Sequence, residues 1–336
     1  MVSRFYKRNI AEGRPILYFS IAFAILVRII YFLFANVNEA NNEKFSNYLW
    51  DSMQPLFSSN LVSWCASFAL LLCMAGLAAF INKKFVLIRV RTALVGSIIL
   101  LAFSSHPVFF PMSVEYLSTL TILVAIGLTF DIYEKTWKQI YALYIGGVLA
   151  FGSLFQPSLL FYLPLFWTGL IIMNSLSFKS FLASLIGLVI IYFPAFSYYL
   201  FIGQLDLFIE PFTEITNVDW LQLPILEMNI NDTVTYLLFA ISLIIIIFEG
   251  YNTRYNDKIK IRAYIFFLVF TTISVFIAAS FVNFSVFMNM CIGVCTMSIL
   301  AAHFFALTNI KWVSWYYYAL LVLTIVFSFS HLFYFG

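Results

Sequence analysis

The stretch ILYFSIAFAILVRIIYFLFAN, residues 16–36, decides the class of fold, because it is apolar almost throughout and holds one charged side chain, Arg28. About 20 apolar residues in a helix cross the roughly 30 Å hydrocarbon core of a bilayer. The rest of the chain is similar: 63% of its 336 residues are hydrophobic and 10% are charged, against about 45 to 50% and about 25% in soluble domains. The composition therefore predicts a membrane protein and excludes an ordinary soluble fold.

Apolar runs of this kind recur along the whole chain. They predict an all-α fold, a polytopic transmembrane helical bundle of about 11 spans, which forms a single integral membrane domain over residues 1–336. The predicted spans are 16–36, 61–81, 86–104, 113–131, 138–154, 156–174, 180–202, 234–249, 263–281, 285–306 and 312–334.

Basic residues fall on one side of this topology. With the N-terminus in the cytoplasm, every Lys and Arg except Lys44 and Arg28 lies in a cytoplasmic segment, and Lys and Arg favour short cytoplasmic loops. One wrongly counted internal span would place the basic clusters at 83–91 and 254–262 on opposite sides. The pattern therefore predicts a cytoplasmic N-terminus and a C-terminus on the far side of the membrane.

Acidic residues show the complementary bias, since 10 of the 15 fall on the external side. They are either ordinary loop charges or part of a functional surface. Two external loops, 37–60 and 203–233, are long enough to build structure, and both place apolar side chains at helical spacing. We expect short amphipathic helices on the membrane surface there, with the second loop broken by Pro211 and Pro224.

Arg28 is the most informative single residue. A guanidinium inside a span costs at least about 2.5 kcal/mol on insertion scales and usually faces a partner or water, so we expect Arg28 to point into the protein. It could form a structural ion pair with Glu115 or Glu39. Alternatively, its planar donor fork suits the phosphate of a lipid pyrophosphate. Both interpretations stay open.

The second external turn, residues 104–115, is predicted to bring His106 and Glu115 to one membrane face. Three carboxylates of the first external loop could join them: Glu39, Glu43 and Asp51. Together these groups could supply a general base or ligands for a divalent cation, which prefers carboxylate oxygens. No other cofactor is predicted. Arg28, His106 and Glu115 are the candidate substrate-binding residues.

Other motifs narrow the possible functions. The chain has no GxxxxGK phosphate loop, no HExxH and no CxxC pair, which excludes an ATP-driven pump acting alone. An ion-coupled transporter favours acidic residues near the midplane, yet Asp131 and Glu249 fall at predicted cytoplasmic ends. Cys291 and Cys295, one helical turn apart, are expected to be buried small hydrophobes rather than a metal pair.

One resemblance covers residues 60–201. The basic turn Asn82-Lys83-Lys84, the helix that ends near Ser104-Ser105-His106, and the stretch from Gly146-Gly147 through Gln156-Pro157 carry it. This part resembles an uncharacterised family of inner-membrane proteins of Bacteroidota. The resemblance implies a location in a bacterial inner membrane, with the C-terminus in the periplasm, and implies no activity.

A second resemblance is to the GT-C type membrane glycosyltransferases, which use polyprenyl-phosphate sugars. It rests on the order of one span, an external acidic loop, and a Gly-rich helix followed by a helix that opens in x-Pro. The matching residues are Gly146, Gly147, Gly152, Gln156, Pro157 and Pro164. The resemblance implies a GT-C-like core over residues 16–202, with additional spans over 234–334. It also implies a catalytic carboxylate in the first external loop, which maps to Glu39, Glu43 or Asp51.

Three hypotheses for function follow. The protein is a GT-C-like glycosyltransferase, or a non-catalytic relative, that handles a polyprenyl-linked saccharide at the external face. Alternatively, it is a transporter or flippase, whose sign would be a water-filled path lined by Arg28, Asn289 and His303. Thirdly, it is a non-enzymatic subunit of a cell-envelope assembly. The expected partners are membrane lipid, a polyprenyl-phosphate-linked sugar and other envelope proteins, and not nucleic acid.

Overall fold

The computed structural model of the protein describes residues 6–34, 47–133, 135–216, 224, 230–253, 257–281, 286–307 and 311–330. Within these ranges the chain is all-α and contains no strand, which confirms the predicted fold class. The main helices are α1 (Pro15–Phe34), α2 (Asn60–Phe85), α3 (Leu94–Phe103), α4 (Val114–Asp131), α5 (Lys138–Ser153), α6 (Leu163–Ile172), α7 (Phe178–Ile202), α8 (Leu205–Thr216), α9 (Ile230–Thr253), α10 (Ile259–Phe281), α11 (Val286–Leu307) and α12 (Lys311–Ser330).

Every predicted span overlaps one of these helices, and α8 is the one among them that overlaps no predicted span. Of the described helices, 8 are long and apolar enough to cross a membrane. That α3, α5 and α6 also cross the membrane stays a prediction. The sixth span consists of a 3-10 turn, Pro157–Tyr162, that runs directly into α6. The predicted bundle is therefore confirmed, while the third span differs from its prediction.

Helix α3 is much shorter than the predicted span 86–104. It has 10 residues, so it rises only about 15 Å, half of a hydrocarbon core. Its late start has a local cause at the end of α2, where Val86 adopts φ 52° and the Asn82 side-chain oxygen accepts the Ile88 N–H at 3.0 Å. This cap keeps the segment before Leu94 out of the helix.

Basic residues meet at one end of the bundle, which we call the basic end. There Lys84 pairs with Asp131, and Arg89 Nη2 lies 2.6 Å from Asp257 Oδ1. Nearby, Lys138 Nζ donates to the Asn174 carbonyl at 2.7 Å. The first contact joins the end of α2 to the end of α4, the second joins the segment before α3 to that before α10, and the third joins the start of α5 to the turn after α6. The predicted alternation of the spans is confirmed, and the side of the membrane that the basic end faces stays a prediction.

Helix α11 forms the centre of the bundle. It is buried almost continuously from Met288 to Phe305 and packs against α3, α4, α9 and α10. Cys291 and Cys295 lie on it and are fully buried, as predicted.

Helix α7 lies at the periphery and packs mainly on α5. A Cβ atom placed on Gly146 would lie 2.0 Å from the Ser184 carbonyl oxygen, and one on Gly187 would lie 2.2 Å from the Leu143 carbonyl oxygen. Glycine at these positions lets the two backbones touch. The close packing predicted from Ala142, Gly146 and Ala150 is confirmed at Gly146.

Two surface segments lie at the end opposite the basic end. A short helix, Trp50–Met53, continues into a 3-10 turn, and α8 is strongly amphipathic. The prediction that Pro211 breaks the second loop is wrong, because Pro211 lies inside α8. Its ring removes one backbone hydrogen bond without ending the helix. The residues around Pro224 lie mostly outside the described ranges, so that break stays a prediction.

Candidate functional site

The segment between α3 and α4, residues 104–113, contains no α-helix and only one short 3-10 turn, Pro107–Phe109, and it lies inside the bundle. All of its residues are buried except Val108, which is half-buried. The sequence predicted that this turn brings His106 and Glu115 to one membrane face. In the structure both side chains are buried, because the segment packs against α2 and α12. We call residues 104–113 the buried loop.

Neighbouring side chains satisfy the backbone of the buried loop. Ser67 Oγ donates to the Phe110 carbonyl at 2.5 Å, and the Met112 N–H donates to Ser63 Oγ at 2.7 Å. Ser328 Oγ, on α12, donates to the Ser104 carbonyl at 2.8 Å. Irregular backbone is tolerated at membrane depth only where protein or water satisfies its polar groups. Here serines of α2 and α12 do so.

Arg28 lies against the buried loop, as the sequence predicted when it placed this side chain inside the protein. The residue is 6% exposed. Its Nη2 donates to the Phe109 carbonyl at 3.2 Å, and its guanidinium carbon lies 5.2 Å from the Phe68 ring centroid and 5.3 Å from that of Phe110. The Tyr116 hydroxyl lies beside the same guanidinium.

Within the described part of the chain, Arg28 has no carboxylate partner. Its Nε and Nη1 atoms are buried and have no hydrogen-bond partner there, and no ion pair joins it to Glu115. A pair with Glu39 stays a prediction, because that residue lies outside the described ranges. A buried cation left without a counter-charge is unfavourable unless something else neutralises it.

His106 connects the buried loop to the start of α9. Its Nδ1 accepts the Val108 N–H at 3.2 Å, so the neutral ring carries its proton on Nε2. That Nε2 lies 2.7 Å from Asp232 Oδ1. Because both ring nitrogens are engaged, His106 is held as a fixed polar group rather than as an available base. Asp232 is about one-third exposed, so this contact connects the buried loop with a residue at the surface.

Glu115 lies in the first turn of α4 and is 6% exposed. Its carboxyl is close enough to Tyr116 and to Cys291 of α11 to interact with both electrostatically. The N-terminal position favours a carboxylate, since the free N–H groups and dipole of a helix carry partial positive charge there. Tyr116 thus interacts with both Arg28 and Glu115.

Asp51 is separated from these buried groups. It lies in the Trp50–Met53 helix at the surface, where its Oδ2 accepts the Asn47 N–H at 3.2 Å, and it interacts with Tyr199 of α7. The adjacent Trp50 packs on the start of α4, which places Asp51 above the layer that holds Glu115. Glu39 and Glu43 lie outside the described residues, and their part in a site stays a prediction.

Two of the grooves in the described part of the chain lie beside the candidate residues and open at the outer surface of the bundle. The α1–α2 groove has a cavity volume of about 270 Å³ and includes Arg28 among its lining residues. Its apolar walls include Ile25, Ile29, Phe32, Leu61, Cys65 and Phe68. The other groove, of about 360 Å³, lies between α6, α10 and α11 and contains Tyr162 and Asn289. The Tyr162 hydroxyl donates to Asn289 Oδ1 at 2.6 Å.

The described grooves do not join into the path expected of a transporter. Arg28 and Asn289 line different grooves, and His303 lies at the basic end, 3.4 Å from Asp257 Oδ2. Buried helix α11 fills the centre between them. In this structure the described residues therefore give no support to the transport hypothesis.

Sequence reasoning missed the ion network at the basic end. The Asp257 side chain is 2% exposed, and burial on its own raises the pKa of its carboxyl. Hydrogen bonds and charge from His303 and Arg89 more than offset burial and hold that pKa below its usual value. Sequence reasoning also missed Asp232, Ser63 and Ser67 as partners of the buried loop. For the two serines a signal was present, since they are polar residues one helical turn apart in an apolar span.

Metal binding has no support among the described residues, where no group of three His, Cys, Asp or Glu side chains could hold an ion. A divalent cation bound with the help of Glu39 and Glu43 stays a prediction.

The fold and the site together define a class of protein. The chain is an all-α, multi-pass integral membrane protein that carries a buried polar layer at the end opposite its basic residues. No family model matches the chain, and no curated protein or solved structure is significantly similar to it.

Proposed function

We propose that this membrane protein handles a polyprenyl-linked saccharide at the end opposite the basic end, as a GT-C-like glycosyltransferase or a non-catalytic relative. One observation carries the proposal. Arg28, His106 and Glu115, which are far apart in the sequence, meet around one irregular loop inside the membrane-spanning bundle. Ionisable side chains buried within membrane-spanning segments are expensive and commonly mark a functional site.

Each group has a chemical role in this proposal. Arg28 supplies positive charge for a lipid phosphate, which departs when the saccharide is transferred. A surface carboxylate, Asp51, Glu39 or Glu43, takes the proton of the acceptor hydroxyl. Glu115 and the His106–Asp232 pair bind hydroxyl groups of the saccharide. The observed layering supports this arrangement, because Asp51 lies at the surface above the start of α4.

The same proposal includes the setting of the protein. We place the chain in a bacterial inner membrane, with the basic end and N-terminus in the cytoplasm and the C-terminus in the periplasm, among the Bacteroidota proteins that residues 60–201 resemble. The basic end supports this orientation through the preference of Lys and Arg for cytoplasmic loops. Other envelope proteins stay possible partners.

The proposal can be tested with the full chain in nanodiscs and a radiolabelled polyprenyl-phosphate sugar, using release of polyprenyl phosphate in the presence of a cell-envelope extract as the readout. Single Ala substitutions of Glu39, Glu43 and Asp51 should include one that abolishes release at unchanged expression. Glu210→Ala, an exposed carboxylate of α8, is the matched control. If all three variants stay active, the base assignment fails.

A non-catalytic relative is distinguished by binding. Mass spectrometry of the purified protein should then show the intact lipid-linked saccharide bound, and Glu115→Gln should weaken that binding about tenfold by removing one charged hydrogen-bonding group. A protein that neither releases polyprenyl phosphate nor retains the lipid-linked saccharide contradicts the proposed function.

A further inference from the structure

The α1–α2 groove combines two features that are unusual together. Its walls are apolar and open to the lipid, and one of its lining residues is a buried arginine. An apolar groove on a membrane protein normally holds only lipid chains. A cation beside it adds a preference for the charge at the end of the chain.

Arg28 has unused hydrogen-bonding capacity next to this groove. A guanidinium carries five N–H donors, and among the described residues the carbonyl of Phe109 is its one backbone acceptor. Nε and Nη1 are buried without a hydrogen-bond partner. The aromatic faces of Phe68 and Phe110 stabilise the positive charge but do not neutralise it. The complementary ligand is therefore an anion with several acceptor oxygens.

Phe68 contacts both the groove and the guanidinium. Its ring lines the groove and also packs on the guanidinium, 5.2 Å from ring centroid to Cζ. The exposed lining of the groove is apolar and Nε and Nη1 are buried, so binding of an anion to Arg28 from this groove requires the Phe68 ring to turn away from the guanidinium.

We propose that the α1–α2 groove binds the phosphate end of a polyprenyl phosphate, with the chain between the two helices and the phosphate on Arg28. The inference rests on the proposed function, because it states how the lipid part of that substrate is held. A single groove between one pair of helices fits a single-chain lipid, and charge complementarity selects its phosphate. Arg28 lies about four turns into α1, toward the end that also holds the buried loop, so the bound phosphate reaches the Arg28–Tyr116–Glu115 layer.

The binding experiment uses the full chain in phosphatidylcholine nanodiscs and native mass spectrometry, with polyprenyl phosphate as the probe. Arg28→Gln should weaken binding about 10- to 100-fold, as expected when charged hydrogen bonds to a phosphate are lost. The affinity of Arg28→Lys should lie between those of the parent protein and Arg28→Gln, because lysine keeps the positive charge and lacks the planar donor fork. Arg91→Gln, an exposed arginine of the basic end, should leave binding unchanged.

A second pair of variants tests the groove without changing Arg28, so that the test survives if Arg28→Gln does not fold. Ile29→Trp fills the groove and should weaken polyprenyl phosphate binding at least about tenfold. Val189→Trp places the same bulk on the exposed face of α7 and should have no effect. A polyprenyl phosphate with a photoreactive group should crosslink to α1 and α2 near Ile29 and Cys65.

Three results would overturn the inference: equal binding by neutral polyprenol, equal competition by phosphatidylglycerol, or unchanged binding in Arg28→Gln and Ile29→Trp. Equal binding of neutral polyprenol would show that the phosphate plays no part. Equal competition by phosphatidylglycerol would show that the groove holds any anionic lipid at the protein surface. Unchanged binding in both variants would show that polyprenyl phosphate binds elsewhere. Failure of the proposed function is distinct. In that case polyprenyl phosphate binds in an Arg28-dependent way, and the attached saccharide is neither retained nor transferred.

Discussion

Gly146 offers a sharp test of how α7 is held to the bundle. A Cβ atom on Gly146 would lie 2.0 Å from the Ser184 carbonyl oxygen, whereas one on its neighbour Gly147 would lie 3.8 Å from the nearest atom, the Gly187 carbonyl oxygen. Ordinary contact begins at 3.4 Å. An alanine at 146 therefore needs the α7 backbone to move away by about 1.4 Å, the difference between 3.4 Å and 2.0 Å. An alanine at 147 needs no movement.

The two substitutions should consequently change the free energy of unfolding in different ways. Overpacking of a close contact costs typically about 1 to 3 kcal/mol, and the atom that must move at 146 is backbone rather than a flexible side chain. Alanine also raises helix stability over glycine by about 0.5 to 1 kcal/mol, and this gain is the same at both sites. We expect Gly146→Ala to lower the free energy of unfolding by about 1 to 2 kcal/mol and Gly147→Ala to leave it unchanged or slightly raised.

The buried thiols of α11 provide the assay. In a background with Cys65 and Cys73 replaced by Ala, a thiol-reactive dye should report only exposure of Cys291 and Cys295 on heating in detergent. The melting temperature should fall by a few degrees for Gly146→Ala and not for Gly147→Ala. Equal melting temperatures for the two variants would refute the close α5–α7 contact.

Two further predictions concern the basic end. Asp257→Asn should lower stability at neutral pH by about 1 to 3 kcal/mol, toward the lower end because Arg89 is 45% exposed. The pKa of the folded Asp257 carboxyl is lowered, so its contribution to stability is present above the unfolded pKa of about 3.9 and is lost as the pH falls through the folded pKa. The melting temperatures of the parent protein and the variant, measured from pH 7 downward, should therefore converge below about pH 4. A constant difference between the two melting temperatures would contradict this linkage. By contrast, Lys84→Ala should lower the free energy of unfolding by less than about 1 kcal/mol in the same melting assay, because the Lys84–Asp131 pair is partly exposed. A larger loss would show that this pair stabilises the fold more than a surface ion pair does.

Much of the bundle was predictable because lipid imposes simple requirements on each segment. Spans such as α1 and α10 follow from their runs of apolar residues, and the gathering of Lys84, Arg89 and Lys138 at one end follows from the distribution of basic residues. The small residues around Gly146 predicted close packing of α5, and the structure shows that its partner is α7. These features depend on a residue's own character or on its near neighbours in the chain.

The candidate site was predictable only in part. The sequence indicated that Arg28 lies inside the protein, since an exposed guanidinium in hydrocarbon is too costly. It did not indicate that the partner is the carbonyl of Phe109, because a backbone carbonyl has no sequence signature. For His106 the sequence predicted a place at one membrane face, and only the packing of the buried loop against its neighbours showed that the side chain is buried.

By itself, then, the sequence determined the all-α class, the spans and their alternating direction, because burial of apolar runs and placement of basic residues are decided segment by segment. Only the tertiary structure decided that α3 begins as late as Leu94, that the loop after it is buried, and that His106 meets Asp232 across 126 residues of sequence. The physical reason is that these features depend on which helices pack together. Helices of equal hydropathy do not specify their neighbours until their side chains meet.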